Sequence, residues 1–97
     1  MVERAFPIFI IRPVDILARL GESALFNCDC GNSEKISWSA VNVDGQSLNR
    51  GIDYDKLQNN SLYIRSVSSK HEGNYTCECS NYVNQTSLTV QLKFPCK

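Results

Sequence analysis

Apolar residues recur at every second position in five segments of this chain. The members of these sets are Ala24, Phe26 and Cys28; Ile36, Trp38 and Ala40; Leu62 and Ile64; Tyr75, Cys77 and Cys79; and Leu88, Val90, Leu92 and Phe94. Alternation of this kind is typical of strands with one buried and one exposed face. The pattern therefore predicts a chain built almost entirely of short strands.

Turn-forming residues separate these segments. The clearest are Gly21, the segment 30–33, the pair Asp44-Gly45, the segment 58–60 and the pair Glu72-Gly73. Asp44-Gly45 predicts a hairpin with a two-residue loop. Short strands between turns, with no helical period, indicate an antiparallel sandwich or barrel. No repeat, low-complexity tract or internal linker divides the sequence, so we expect one domain.

Length and charge exclude several classes of partner. The 97 residues suit one small domain, and ten basic residues balance ten acidic ones. Nucleic-acid binding needs a basic face, so we expect no nucleic-acid partner. An anionic membrane surface has no electrostatic attraction for a chain without basic runs. The apolar run at residues 6–11 is too short to span a bilayer, and we expect no direct membrane insertion by this domain.

The cysteines offer the most specific chemistry. Five cysteines are many for a cytosolic chain of this size and ordinary for an extracellular one. Four of them form two C-x-C elements, one at Cys28 and Cys30 and the other at Cys77 and Cys79. Spacing alone leaves three interpretations open, namely a metal clamp, a redox site and a doubled disulfide.

Several motifs together resemble an immunoglobulin domain of the intermediate (I-set) type. Trp38 follows Cys28 by ten residues, an L-x-I-x-x-V motif begins at Leu62, and a G-x-Y-x-C motif ends at Cys77. The resemblance extends from about Phe6 to Phe94. It implies an all-β, immunoglobulin-like, antiparallel two-sheet Greek-key sandwich. Residues 1–97 are then one I-set domain, with a core at about 6–94 and the start of a linker at 95–97.

The resemblance also implies roles for the motif residues. Cys28 and Cys77 are expected to bridge the two sheets, with the indole of Trp38 packed on the sulfurs. Tyr75 is expected to form a tyrosine corner, in which its hydroxyl bonds to backbone upstream. Gly73 is expected to allow the tight turn before this strand.

The second pair of cysteines lies two residues further along the same two strands. Both side chains should again point inward, so Cys30 and Cys79 are expected to form a second disulfide. Cysteines at C-x-C spacing within extended strands place their sulfurs badly for tetrahedral zinc, and we expect no metal and no cofactor. Cys96 follows the last strand at the opposite pole. We expect it to pair with a cysteine of a neighbouring domain, the alternatives being a partner chain or a free thiol.

Catalysis is not expected. His71 is the only histidine and stands where many I-set domains have aspartate, and we expect it to be a surface residue. Asp53 and Asp55 are expected to lie in a solvated connection. The sequence has no glycine-rich phosphate loop and no nucleophile with an evident base, so the protein is not expected to be an enzyme.

Three N-x-S/T sequons, at Asn59, Asn74 and Asn84, are candidate glycosylation sites. Together with the cysteines, they favour the secretory pathway. We therefore expect an extracellular glycoprotein, either secreted or part of the ectodomain of a membrane protein. Disulfides and sequons count against an intracellular mechanical link, which is another role of I-set domains.

Apolar residues at outward positions suggest a partner surface. By the period-two pattern, Leu17, Leu20 and Leu25 face solvent, and Ile8 or Ile10 extends the same surface. We expect a protein–protein recognition or adhesion module of a receptor or adhesion protein. Its partner is a protein ligand or another copy of the domain, besides neighbouring domains of the same chain. The alternative is a structural spacer without a ligand of its own.

Overall fold

The computed structural model describes residues 6–95, which form strands and one short 3-10 helix. The elements are β1 (Ile8–Ile11), β2 (Ile16–Leu17), β3 (Ala24–Phe26), β4 (Asp29–Gly31), β5 (Lys35–Asn42), β6 (Asp55–Lys56), β7 (Leu62–Ile64), η1 (Ser69–His71), β8 (Gly73–Ser80) and β9 (Gln85–Lys93). The predicted all-β architecture is confirmed.

The strands form a two-layer sandwich. The first layer contains the pair β1–β4 and the ladder β3–β7–β6, and the second contains β2–β9–β8–β5. Only Asn27 and Cys28 separate β3 from β4, and the burial of Ala24, Phe26 and Cys28 continues one alternation through both. Two inner faces with alternating buried side chains make the core of such a sandwich.

One pairing departs from the predicted antiparallel arrangement. β2 runs parallel to β9, with Ile16 opposite Leu92 and Leu17 opposite Lys93, whereas the other ladders are antiparallel. The chain therefore crosses from the first layer at β1 to the second layer at β2. Pro13 lies in the connection between the two strands. Because proline has no N–H to donate to a ladder, it suits this connection.

The core lies between the two layers. Phe26 and Tyr75 stack with their ring centroids 4.8 Å apart. Leu62, Ile64 and Leu92 complete the centre, each with at most 1% of its surface exposed. These residues are inward members of the alternating sets, so the period-two pattern correctly predicted the core.

The hairpin after β5 has a three-residue loop, so the predicted two-residue loop is wrong. The backbone N–H of Asn42 donates to the carbonyl of Gln46 at 2.9 Å, which leaves residues 43–45 in the loop. Gly45 ends it with φ of +82°, the left-handed residue that such loops favour. The side-chain oxygen of Asn42 accepts hydrogen bonds from the N–H groups of Asp44 and Gln46. These bonds fix the longer loop.

Candidate functional site

Two disulfides join the layers near one end of the sandwich. Cys28 bonds to Cys77 with an S–S distance of 2.01 Å, and Cys30 bonds to Cys79 at 2.04 Å. β8 supplies Cys77 and Cys79, whose side chains point inward together because strand side chains alternate. The pairing is the one expected from the sequence.

The sulfurs form one buried cluster. The Sγ atoms of Cys28, Cys77 and Cys79 lie within 4.8 Å of one another. A disulfide sulfur carries no thiolate charge, and thiolate is the form that binds zinc. Paired in this way, these cysteines cross-link the layers and are not available as metal ligands.

Trp38 connects the sulfur cluster to the hydrophobic core. Its indole packs against both groups, as expected, and lies 6.0 Å from Phe26 between ring centroids. Its Nε1–H donates a 2.7 Å hydrogen bond to the carbonyl oxygen of Asn60. Asn60 adopts φ of +72°, a conformation that asparagine tolerates well. This anchor of the β6–β7 turn was not predicted, because the turn residues alone do not identify a distant donor.

Tyr75 forms the predicted tyrosine corner. Its hydroxyl donates to the carbonyl oxygen of His71 at 2.6 Å, and the side chain is fully buried. Burial raises the pKa of the Tyr75 phenol well above its usual range. Gly73 is needed here because a Cβ atom would overlap the Val41 carbonyl and the Asn42 Cα. The requirement for glycine is thus close approach to β5, where the sequence had indicated a tight turn.

His71 is buried, so its predicted surface position is wrong. Only 4% of the residue is exposed, and its Nδ1 accepts a 2.9 Å hydrogen bond from the Ser68 N–H. A backbone N–H can only donate, so the ring proton is on Nε2, which faces the carbonyl of Asp53 at 2.9 Å. Both ring nitrogens therefore form hydrogen bonds to backbone groups. The histidine has no nitrogen free to act as a catalytic base.

Asp53 is part of the same corner. Its carboxylate pairs with Lys70 at 2.7 Å, although the lysine side chain is half exposed. It also accepts the N–H of Asn49 at 2.6 Å. The Lys70 hydrogen bond lowers the pKa of Asp53. Asp55 is exposed as expected, but the side chain of Asp53 is only 9% exposed and is not simply solvated.

The predicted partner leucines are exposed but do not form one surface. Leu17 and Leu20 are 70% and 69% exposed, and Leu25 is 42% exposed. Leu17 lies on β2 of the second layer, whereas Leu25 lies on β3 of the first. Both side chains point away from the core, so Leu17 and Leu25 belong to opposite outer faces of the sandwich.

The outer face of the first layer instead carries a cluster of isoleucines. Ile8, Ile10 and Ile11 of β1 are 59%, 66% and 47% exposed. Strict alternation would turn Ile11 inward. A register shift between Phe9 and Ile11 leaves Ile10 as an extra residue, and Ile11 then pairs with outward Asp29.

The neighbouring strand β4 lies beneath this cluster. Ile10 lies over Gly31 of β4, because its Cδ1 is 3.4 Å from where a Gly31 Cβ would stand. On the adjacent ladder Leu25 pairs with Tyr63. This pair lies four residues along the strand from Asp29, with exposed Asn27 between, so we define the isoleucine face by Ile8, Ile10 and Ile11 alone.

The predicted sequons at Asn59 and Asn74 lie away from this face, whereas Asn84 lies at the end of the sandwich where β1 begins. Asn74 is exposed on β8 of the second layer, and Asn84 is half-buried in the turn between β8 and β9. Asn59 is exposed in the β6–β7 turn, on the other side of the first layer from β1. Glycosylation at these three residues stays a prediction. Cys96 lies outside the described residues, so the pairing of its thiol stays a prediction.

No helix within residues 6–95 is long and apolar enough to cross a membrane.

Comparison with known proteins agrees with this architecture. The model of the immunoglobulin I-set domain matches residues 7–94. The chain is 34% identical over 99 residues to the mast/stem cell growth factor receptor Kit of Gallus gallus, covering 95% of this chain and 10% of the receptor. It is 33% identical over 87 residues to hemicentin-2 of Mus musculus, covering 84% of this chain and 2% of that protein. It is 30% identical over 91 residues to smooth muscle myosin light chain kinase of Gallus gallus, covering 89% of this chain and 5% of the kinase.

Solved structures give the same result. An I-band fragment of titin superposes with a TM-score of 0.74 at 30% identity, over 93% of this chain and 32% of the fragment. Immunoglobulin domains 1–5 of Sidekick-1 give 0.75 at 20% identity, over 93% of this chain and 19% of that one. The chain thus spans at most a tenth of the curated relatives named above. It belongs to the immunoglobulin I-set domain family.

Proposed function

We propose that this domain is an extracellular protein–protein recognition module of a larger cell-surface receptor or adhesion protein. The observation that carries the proposal is the isoleucine face. Exposed apolar side chains occur singly on most soluble proteins, but a contiguous group of them marks a contact surface. Here three exposed isoleucines of one strand, β1, lie together on one outer face.

The extracellular location rests on covalent chemistry. Two disulfides persist in an oxidising compartment and are rare in the cytosol. The three sequons point the same way. Relatives include a growth factor receptor as well as a smooth muscle kinase, so relationship alone does not fix the compartment.

The net charge of the chain and the hydrogen bonds of its histidine ring indicate the class of partner. The balanced charge of the chain gives no basic surface for nucleic acid. Both ring nitrogens of its single histidine are engaged by backbone, so this residue offers no free base, which supports a binding role. A protein ligand, or another copy of the domain, matches an apolar face of this kind.

A binding screen with two matched variants tests the proposal. The glycosylated domain is presented to a panel of extracellular proteins, itself included, beside Ile10→Lys and Leu17→Lys. Ile10 and Leu17 are almost equally exposed, at 66% and 70%, on opposite outer faces. We expect at least one partner whose binding Ile10→Lys weakens and Leu17→Lys leaves intact. A complete absence of partners contradicts the proposal.

A structural spacer is the second candidate, and the course of the chain favours it. β1 begins beside Gly31 at the end that contains the β8–β9 turn, whereas β9 ends beside Gly73 at the opposite end. A domain entered and left at opposite poles suits an end-to-end array. Two results together support the spacer role. The isolated domain has no binding partner, and the parent protein still binds its ligand after this domain is exchanged for another I-set domain.

A further inference from the structure

We propose that a basic groove at one open edge of the sandwich binds the sulfate groups of an acidic extracellular polysaccharide. The groove lies between β5, an edge strand of the second layer, and β6, an edge strand of the first. We define the basic groove by Lys35, Trp38, Arg50, Tyr54 and Lys56, which line about 160 Å³ of open space. It is separate from the isoleucine face and shares with the proposed function only the extracellular location.

Three cations surround the groove. Lys35 and Arg50 are exposed, and the ammonium of Lys56 reaches from β6 to donate to the carbonyl of Ile36 on β5. The three come from separate segments of the chain, so no basic run in the sequence indicates the groove. Burial, together with the charges of Arg50 and Lys35, lowers the pKa of the Lys56 ammonium. Because the three like charges repel one another, a bound anion stabilises all of them.

Acidic residues do not neutralise these cations. Within residues 6–95 no carboxylate lines the groove. Asp53 is paired with Lys70, and Asp55 alternates onto the outer face of β6. Glu34 and Glu78 adjoin the first half of β5, but neither forms an ion pair with a cation of the groove. The groove therefore has a positive charge that the described part of the protein leaves uncompensated.

Two uncharged donors accompany the cations. Tyr54 is only 7% exposed, yet no residue between 6 and 95 bonds to its hydroxyl. Every fully buried side-chain oxygen in that range has a partner, so this hydroxyl is accessible to a ligand. Along β5 the carbonyls of Ile36 and Ala40 accept hydrogen bonds at the free edge. Since backbone groups alternate along a strand, the N–H of Trp38 points to the same edge and lacks a ladder partner.

The geometry favours sulfate on a sugar chain over an acidic peptide. A sulfate ester has three terminal oxygens, so it can contact three cations at once, whereas a carboxylate has two. A peptide that added a strand to β5 would need a free edge. Lys56 occupies this edge at Ile36, and the N–H of Leu48 occupies it at Ala40. The intervening residue is too short a stretch for strand addition, but it is sufficient for a point contact with one anionic group.

Titration of the isotope-labelled, glycosylated domain with a heparin hexasaccharide tests the inference by NMR. We expect amide shifts at residues 35–38 and 50–56, with a dissociation constant on the order of 100 µM at about 50 mM NaCl. Arg50→Gln and Lys35→Gln should each raise the constant about fivefold, because each removes a charged hydrogen bond. Arg12→Gln is the control, since it removes an exposed arginine beyond β1 at the other edge of the first layer. It should change the constant less than about twofold.

Several outcomes would overturn the inference. One is the absence of shifts in the groove at about 2 mM hexasaccharide, roughly twenty times the expected constant. Another is an equal loss of binding in Arg12→Gln, which indicates attraction by net charge alone. Equal binding of a desulfated hexasaccharide, a polyglutamate peptide or a single-stranded oligonucleotide shows that sulfate is not the group recognised.

The test is also independent of the isoleucine face. Ile10→Lys should leave saccharide binding unchanged, so failure of the proposed protein contact and failure of the basic groove are seen separately. Lys35, Arg50 and Arg12 are all exposed, so their glutamine variants should keep the fold. Thermal unfolding of each variant verifies this.

Discussion

Each of the two disulfides should largely compensate for loss of the other. Both close loops of the same length, with a sequence separation of 49 residues. In the chain-entropy model the first such bridge stabilises the fold by about 4 kcal/mol. Once it exists, the second closes only a small ring through residues 28–30 and 77–79, of about six residues, and adds about 2 kcal/mol.

The perturbation is alanine substitution of either pair or of both pairs. Cys28→Ala with Cys77→Ala should cost about 2 kcal/mol, because the Cys30–Cys79 bridge still closes the long loop. Removal of the outer pair should cost a similar amount. Removal of all four should cost about 6 kcal/mol, so the double-mutant cycle has a coupling of about 2 kcal/mol. Lost packing adds to these costs, more for the inner pair because both of its sulfurs are fully buried.

Urea denaturation measures the four free energies of unfolding. A domain of this size has about 5–15 kcal/mol of stability, so the variant without bridges lies near the threshold of unfolding. Sodium sulfate at the same concentration in all four samples strengthens the burial of apolar surface. The free energy of unfolding of the variant without bridges then remains measurable. Costs that simply add, with the coupling near zero, would refute the argument that the two bridges constrain one loop. So would a variant without the inner pair that is as unstable as the variant without any bridge.

Three further predictions concern the corner around η1. Tyr75→Phe should cost about 1–3 kcal/mol in urea denaturation, because it leaves the buried carbonyl of His71 without its donor; an unchanged stability contradicts the tyrosine corner. Gly73→Ala should destabilise the domain more than Gly51→Ala, since only at Gly73 would a Cβ overlap the backbone of β5; equal melting temperatures contradict this. Lys70 lowers the pKa of Asp53, so the carboxylate contributes stability above its unfolded pKa that is lost as pH falls through the lower folded value. Between pH 7 and pH 2 the wild type should therefore lose more stability than Lys70→Gln, and parallel pH profiles contradict the ion pair.

The period-two pattern predicted what depends on strand direction alone. Inward alternation placed Cys30 beside Cys28 and Cys79 beside Cys77, and the resemblance to I-set domains supplied the pairing across the layers. The same alternation identified Phe26 and Tyr75 as core. The inward direction of these side chains follows from the geometry of a single strand, whereas the pairing of the cysteines needed the family topology.

Features that depend on neighbouring strands were not predictable. Ile11 points outward only because Ile10 adds a residue opposite β4, and nothing in the local sequence identifies that bulge. The burial of His71 depends on Asp53, which is 18 residues away in sequence. Lys56 donates to the carbonyl of Ile36 across the two layers, and burial lowers the pKa of its ammonium. Each of these is a tertiary contact between segments with no shared pattern.

The assignment of the isoleucine face as the binding surface can be tested most directly by intermolecular NMR contacts. In a complex of the isotope-labelled domain with the unlabelled partner found in the binding screen, nuclear Overhauser effects between the two proteins report which methyl groups touch. We predict that they involve the methyl groups of Ile8, Ile10 and Ile11. Intermolecular effects confined to Leu17 and Val41 of the second layer would contradict the assignment.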